Sequence, residues 1–270
     1  MGYIIREIDA LKLVTIEEFE KTNLVKHGFS TRVGGKSEGI FATLNLGLKT
    51  NDENELVIKN LEAFCKAINI DYNNLVLCDQ VHGDGVKIVT KKDRGKGILY
   101  KQDYNNIDAL ITGEPGTALL TFHADCVPLI ILDPVRKVIA VSHAGWKGTM
   151  LKIGQKTILK MIDEFNSSAE DIMVGIGPSI GKCCYEISGE LARKFKNSFK
   201  TTSDFMFPIN GDKFILDLWE ANRYDLLQIG LLNKNIITSN LCTSCDTELF
   251  YSYRKEKGLT GRMASVIQLI

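Results

Sequence analysis

Six apolar residues run without interruption through Val127-Pro128-Leu129-Ile130-Ile131-Leu132, and Asp133-Pro134 closes them. Four more, Val138-Ile139-Ala140-Val141, follow and lead into Ser142-His143-Ala144-Gly145-Trp146. Runs this short, β-branched and apolar at every position are what strands covered on both faces require. The same reading assigns strands to residues 75–77, 86–90, 109–112, 118–122 and 172–176. It closes the sheet system with residues 236–238, 250–253 and 264–270. Residues 52–68 repeat apolar positions near helical spacing (Leu56, Val57, Ile58, Leu61, Phe64, Ile68), with Asp52 as the candidate cap. Residues 147–165, 187–195 and 216–227 read as further helices, and the Gly-, Ser- and Thr-rich residues 28–39 read as a loop. Helices and strands are mixed rather than strictly alternating. That predicts an α/β (α+β) layered sandwich with mixed sheets instead of a simple doubly wound fold.

Composition narrows this. The 270 residues correspond to one large or two small domains at roughly 150 residues each. Five prolines, no Pro/Ser-rich linker and no repeat favour one continuous domain over residues 1–270. Charged residues at 24% and hydrophobic ones at 44% describe a globular chain and exclude a disordered, collagenous or coiled-coil one. Lys plus Arg and Asp plus Glu both number 33, so no net field gathers nucleic acid or anionic membrane. A local basic pocket for one phosphate remains compatible with that balance. The first residues carry a charge every few positions and give no signal-peptide core. No apolar run approaches the ~18 residues of a membrane span, and Arg6 spoils a myristoylation motif after Met1-Gly2. Seven cysteines, an odd number without an export signal, point to a reducing cytoplasmic setting. Each must then be core filler, nucleophile or metal ligand.

Three of the four histidines stand at or near the ends of apolar runs beside small residues: Gln80-Val81-His82-Gly83, Phe122-His123-Ala124-Asp125-Cys126 and Ser142-His143-Ala144-Gly145. Such positions hold the backbone firmly while the side chain enters a pocket. Taken singly, each is more simply a hydrogen-bonded, half-buried histidine. Together, His82, Cys126 and His143 offer the two imidazoles and thiolate of an open catalytic metal site. Their long spacings match no short zinc signature. Three readings of Cys126 therefore stay open: metal ligand, nucleophile with His143 as its base in a cysteine hydrolase or deamidase, and inert core thiol. Cys242-Thr243-Ser244-Cys245 is a C-x-x-C that alone suits a redox pair or half a zinc knuckle. The adjacency of Cys183 and Cys184 argues against both binding one metal, so these four cysteines read as structural or incidental. Ser30-Thr31-Arg32-Val33-Gly34-Gly35 offers hydroxyls, N–H groups and a guanidinium for an anion, with a Gly-rich surface turn as the plainer reading. Arg254 and Arg262 read as solvated charge.

The assembled motifs resemble the purine nucleoside phosphorylase family of YlmD and YfiH type, first described as multicopper polyphenol oxidases. Those motifs are His27-Gly28-Phe29-Ser30-Thr31-Arg32-Val33-Gly34-Gly35, Leu44-Asn45-Leu46-Gly47, Gln80-Val81-His82-Gly83, Ala124-Asp125-Cys126-Val127-Pro128, His143-Ala144-Gly145-Trp146-Lys147-Gly148, Cys183-Cys184-Tyr185-Glu186 and Gly261-Arg262-Met263-Ala264. The resemblance implies a four-layer α/β/β/α sandwich similar to cysteine hydrolase and toxin deamidase folds. It implies zinc held by His82, Cys126 and His143, with copper claimed for some members. It implies phosphorolysis of adenosine, inosine and methylthioadenosine, together with adenosine deamination. Purine nucleosides and phosphate are then the expected partners, with no nucleic acid and no membrane, and the chain is expected to be a monomer or weak dimer. Within that reading Asp125 is the candidate proton shuttle. Arg32, Arg254 and Ser30 are the candidate anion holders, and Asn45 and Gln80 orient hydroxyls or the base. Lys147 keeps a charge but lacks bidentate geometry, and His123 is unusual for its place in the motif.

Overall fold

The computed structural model describes residues 2–270. The chain opens with β1 (Tyr3–Ile8), β2 (Leu11–Ile16), α1 (Glu17–Lys21), β3 (Val25–Ser30), α2 (Asn54–Ala67), β4 (Leu75–Leu77) and β5 (Val86–Ile88). Next come β6 (Ala109–Thr112), β7 (Ala118–His123), β8 (Val127–Asp133), β9 (Val138–Ala144), α3 (Trp146–Met150), α4 (Ile153–Phe165) and β10 (Met173–Ile176). The remainder holds β11 (Glu186–Ser188), α5 (Gly189–Ser198), β12 (Met206–Pro208), β13 (Lys213–Leu216), α6 (Leu218–Leu227), β14 (Ile236–Thr238) and β15 (Met263–Leu269).

Two six-stranded sheets form the centre, ordered β1-β2-β3-β15-β7-β4 and β14-β10-β8-β9-β6-β5. Both are mixed: β4 with β7, β5 with β6 and β10 with β14 run parallel, and their other neighbours run antiparallel. The apolar run of β8 shows why every position had to be apolar. Leu129 and Ile131 face a core shared with Ile153, Ile158 and Met161 of α4 and Leu226 of α6. Ile130 and Leu132 face the opposite way, into a core shared with Val14, Phe29, Leu119 and Ile267 of the other sheet. The outer face of that sheet packs Leu13, Leu120 and Val266 against Val57, Leu61 and Phe64 of α2. The layers are therefore helix, sheet, sheet, helices. Each large side chain buried this way contributes about 1.5–3 kcal/mol of transfer free energy. Among the described residues no helix is long and apolar enough to cross a membrane.

Several elements differ from the sequence reading. The helix expected over 147–165 is two helices, because Lys152 turns left-handed at φ 62 between α3 and α4. The helix expected over 187–195 begins later. Residues 186–188 are strand β11, and the Ser188 hydroxyl then caps α5 by accepting the Leu191 N–H. A small third sheet, β11-β13-β12, went unread because its strands are three or four residues long and half of them face solvent. Residues 250–253 are not a strand; Phe250 and Tyr251 are fully buried on a turn whose Phe250 N–H donates to the Asp246 carbonyl. Residues 28–30, read as loop, end strand β3. Its His27 accepts the Ile16 N–H at 2.8 Å, and burial pushes its pKa down to about 4, so it is a neutral core histidine. Asp52 does not cap α2: its carboxylate accepts the Glu53 N–H and the Asn45 amide instead.

Candidate active site

Three chain segments meet at one end of the two sheets. The loop after β4 carries His82, the tight turn between β7 and β8 carries Cys126, and β9 carries His143. One ligand atom from each lies within 4.8 Å of the others. Cys126 Sγ stands 3.7 Å from His82 Nε2, and the two imidazole rings meet edge to face with centroids 4.8 Å apart. Gly145 makes this approach feasible, because a Cβ there would sit 2.8 Å from Cys126 Sγ and 3.1 Å from His82 Cδ2.

Asp108, immediately before β6, organises the group. It is fully buried, and its carboxylate accepts the N–H of Val81 at 3.0 Å, of His82 at 3.0 Å and of Gly83 at 2.9 Å. Gln80 and His82 are left-handed, with φ 52 and 59, which curls these N–H groups around the carboxylate as an anion nest does. Asp108 also bonds His143 Nδ1 at 2.9 Å. That fixes the ring and leaves its Nε2 for the centre, the arrangement in which a carboxylate orients a ligating histidine. Burial opposes the Asp108 charge, but the bond to His143, the His143 charge and the backbone donors Gly83 and Val81 outweigh it and hold its pKa below the usual carboxylate range.

The thiol and imidazole polarise each other. Burial raises the Cys126 pKa, but the His143 charge and the hydrogen bonds to both histidines bring it down to about 6. Burial likewise lowers His143, and the Cys126 thiolate with Asp108 carries it up to about 9. Between those values the metal-free site is a thiolate–imidazolium pair. Site-resolved mass spectrometry of metal-free protein should show iodoacetamide labelling of Cys126 rising as pH climbs through about 6 and flat by neutrality. A rate that starts to rise only in the ordinary thiol range would contradict the pairing.

A cavity of about 840 Å³ opens over the three residues. That is a volume suited to a small ligand. His82, Cys126, His143 and Asp125 line it, with Phe122, Tyr185 and Tyr253 supplying aromatic faces and Arg254 and Arg262 supplying charge. Arg254 lies over the Tyr185 ring at 5.0 Å and Arg262 over Tyr253 at 5.6 Å. His123 also lines the cavity; burial drives its pKa to about 3, so it is a neutral imidazole.

The structure distributes the other sequence candidates differently from expectation. Asp125 is beside the centre, but both its oxygens are engaged: Oδ1 by the Thr243 hydroxyl at 2.6 Å and Oδ2 by the Arg254 N–H at 2.6 Å. It clamps two loops to the turn that carries Cys126. Gln80 reaches the cavity wall, but its amide brackets the backbone of Phe122, donating to the carbonyl at 2.6 Å and accepting the N–H at 2.8 Å. Ser30 is fully buried and accepts the Ala264 N–H. Asn45 is fully buried and accepts the N–H groups of Gly47 and Arg262. Arg32 bonds the carbonyls of Ala42 and Thr247 and the Glu256 carboxylate, against the Tyr251 ring and away from the cavity lining. The loop read as an anion holder is thus a structural lacing, and Arg254 with Arg262 supplies the cavity's guanidinium groups. Sequence reasoning missed Asp108 altogether and treated Arg262 as surface charge.

Comparison with known proteins gives a consistent set of matches. Residues 26–270 match the family model described as multi-copper polyphenol oxidoreductase laccase. The chain is 36% identical over 266 residues to a Bacillus subtilis protein named purine nucleoside phosphorylase YlmD, covering 93% of this chain and 92% of that one. Among solved structures it is similar to YfiH of Bacillus licheniformis, with a TM-score of 0.93 and 37% identity over 98% of this chain and 99% of that one. It is also similar to YlmD of Geobacillus stearothermophilus, with a TM-score of 0.91 and 33% identity over 99% of each chain.

Proposed function

Because this chain belongs to the YlmD and YfiH family, whose model is described as multi-copper polyphenol oxidoreductase laccase, we propose that it is a purine nucleoside phosphorylase with a catalytic zinc centre. The proposed reaction takes adenosine, inosine or methylthioadenosine with phosphate to the free base and the sugar 1-phosphate, and the same site deaminates adenosine. The observation that carries this reading is the convergence of His82, Cys126 and His143 within 4.8 Å on the wall of a cavity that also holds Arg254 and Arg262.

Two imidazoles and a thiolate suit zinc, and Asp108 behind His143 is the usual second partner of a ligating histidine. Clusters of several copper ions do not fit the chain. It has four histidines, and His27 is already spent on the Ile16 N–H. When bound, zinc supplies a Lewis acid and lowers the pKa of water toward neutrality. The chain's own residues do the rest. Arg254 and Arg262 hold the phosphate, and Tyr185, Tyr253 and Phe122 flank the purine, a reading supported by the fact that all five line the cavity. In phosphorolysis a phosphate oxygen bonds C1′ as the C1′–N bond breaks, and its electron pair leaves with the base. Holding both partners in line is worth several orders of magnitude in rate. The proposed setting is the cytoplasm, as a monomer or weak dimer.

The test is an adenosine and inosine assay on untagged protein with and without phosphate. Base release should require phosphate and should match sugar 1-phosphate mole for mole. Release that proceeds equally without phosphate, or no turnover of either nucleoside, would sink the proposal. One geometric feature favours a second reading, a cysteine hydrolase or deamidase. Cys126, His143 and Asp108 stand in the order of a nucleophile, its base and the base's orienting carboxylate. Activity that survives metal chelation and is lost on alkylating Cys126 would select that reading instead.

A further inference from the structure

The four cysteines that looked incidental in the sequence come together. Cys183 and Cys184 lie on the loop that leaves β10, and Cys242 and Cys245 lie on the loop that leaves β14. These two strands are parallel neighbours, so both loops emerge at the same sheet end. There the loops are laced side by side. Ser179 N–H donates to the Leu241 carbonyl at 3.2 Å and Thr243 N–H to the Ser179 carbonyl at 3.1 Å.

One Sγ from each cysteine lies within 4.8 Å of all the others, and all four are free thiols. Cys245 Sγ is 3.3 Å from Cys183 Sγ and 3.4 Å from Cys184 Sγ. Four sulfurs at about 2.3 Å from a tetrahedral zinc stand roughly 3.8 Å apart, within the observed spread. Adjacency of Cys183 and Cys184 is no obstacle, because the turn closed by the Cys184 N–H on the Gly181 carbonyl brings both sulfurs to Cys245. Cys242-Thr243-Ser244-Cys245 forms a knuckle, with the N–H groups of Cys245 and Asp246 both donating to the Cys242 carbonyl at 3.2 Å. The Gly181 N–H donates to Cys242 Sγ at 3.2 Å, as backbone donors do to ligating thiolates. Gly181 is also needed for space, since a Cβ there would meet Trp219 at 2.9 Å and Cys183 Sγ at 3.3 Å.

We propose that Cys183, Cys184, Cys242 and Cys245 bind a second zinc ion in a closed four-sulfur site that staples these two loops together. All four coordination positions come from protein, so the site is structural. Its position gives it a purpose. Ile180 and Tyr185, which flank the first cysteine pair, line the cavity, and Ile180 N–H donates to the Asp125 carbonyl at 3.0 Å. Thr243, inside the knuckle, holds the Asp125 carboxylate. The staple thus fixes the cavity wall beside Cys126 without sharing a ligand with the His82 centre.

Metal analysis of untagged protein purified under reductant should find two zinc ions per chain. Cys183→Ser combined with Cys245→Ser should remove one, and Cys126→Ala should remove the other. Cobalt loaded into the Cys126→Ala protein should give the thiolate-to-cobalt charge-transfer bands of an all-sulfur tetrahedral site, a readout that leaves the four cysteines intact. Full zinc content in the Cys183→Ser and Cys245→Ser protein, or cobalt-loaded Cys126→Ala protein without those bands, would overturn the proposal. So would a disulfide among the four in protein kept under reductant.

Discussion

Cys126→Ala is expected to abolish nucleoside turnover, to take one metal ion with it and to leave the fold standing. A Lewis acid stabilises charge in the transition state by several kcal/mol, so its loss lowers kcat/KM by about a thousandfold or more. The fold should survive because Cys126 is only half-buried at the cavity wall, while strand β8, which begins right after it, is held by the full β8–β9 ladder from Val127 with Ala144 to Asp133 with Val138. Asp125 should continue to grip Thr243 and Arg254 in the variant, since neither contact involves Cys126. Steady-state kinetics, metal analysis and thermal unfolding read the three parts separately. Full activity with full metal content in this variant would remove Cys126 from the site.

Asp108→Asn is expected to damage the same site from behind. The carboxylate takes three backbone N–H groups and His143 Nδ1, and Asp108 does not itself line the cavity. An amide at that place keeps one acceptor oxygen and turns an NH₂ toward donors, stranding buried N–H groups at about 1–3 kcal/mol. It also frees the His143 ring and the His82 loop together. Metal affinity should fall roughly 10–100-fold. Activity at saturating zinc should recover in part, which a purely catalytic residue would not allow. The acid side of the stability curve provides a second readout. The Asp108 pKa is lowered in the folded protein, so its contribution is fully present above the ordinary carboxylate range. It is lost as pH falls through the lower folded value. Asp108→Asn should flatten that part of the curve. A variant with unchanged metal affinity and an unchanged acid limb would refute the positioning role.

The residues that could be read in advance were those whose signal is local. Leu129, Ile130, Ile131 and Leu132 must be apolar because alternate residues face different cores, and that demand is visible in the run itself. His82, Cys126 and His143 stood out because each interrupts or ends such a run. Asp108 gave no such signal. It is one acidic residue between Ile107 and Ala109, and its importance comes from partners 25 to 35 positions away. The loop with Ser30 and Arg32 misled because small residues, hydroxyls and a guanidinium serve a phosphate and a web of backbone carbonyls equally well. Only the direction of the Arg32 guanidinium, toward Ala42, Thr247 and Glu256, decides between them. The four-cysteine cluster was hidden for a topological reason. Its halves are brought together by the parallel pairing of β10 with β14, which no spacing rule encodes.

His82, Cys126 and His143 are proposed to grip one divalent ion and leave a face of it open to the cavity. The most direct measurement is an anomalous difference map at the zinc edge, from crystals of untagged protein. A strong peak is expected within bonding distance of Cys126 Sγ, His82 Nε2 and the His143 nitrogen that Asp108 leaves free. A map with no density above noise between those three atoms, in crystals whose zinc content has been verified, would contradict it.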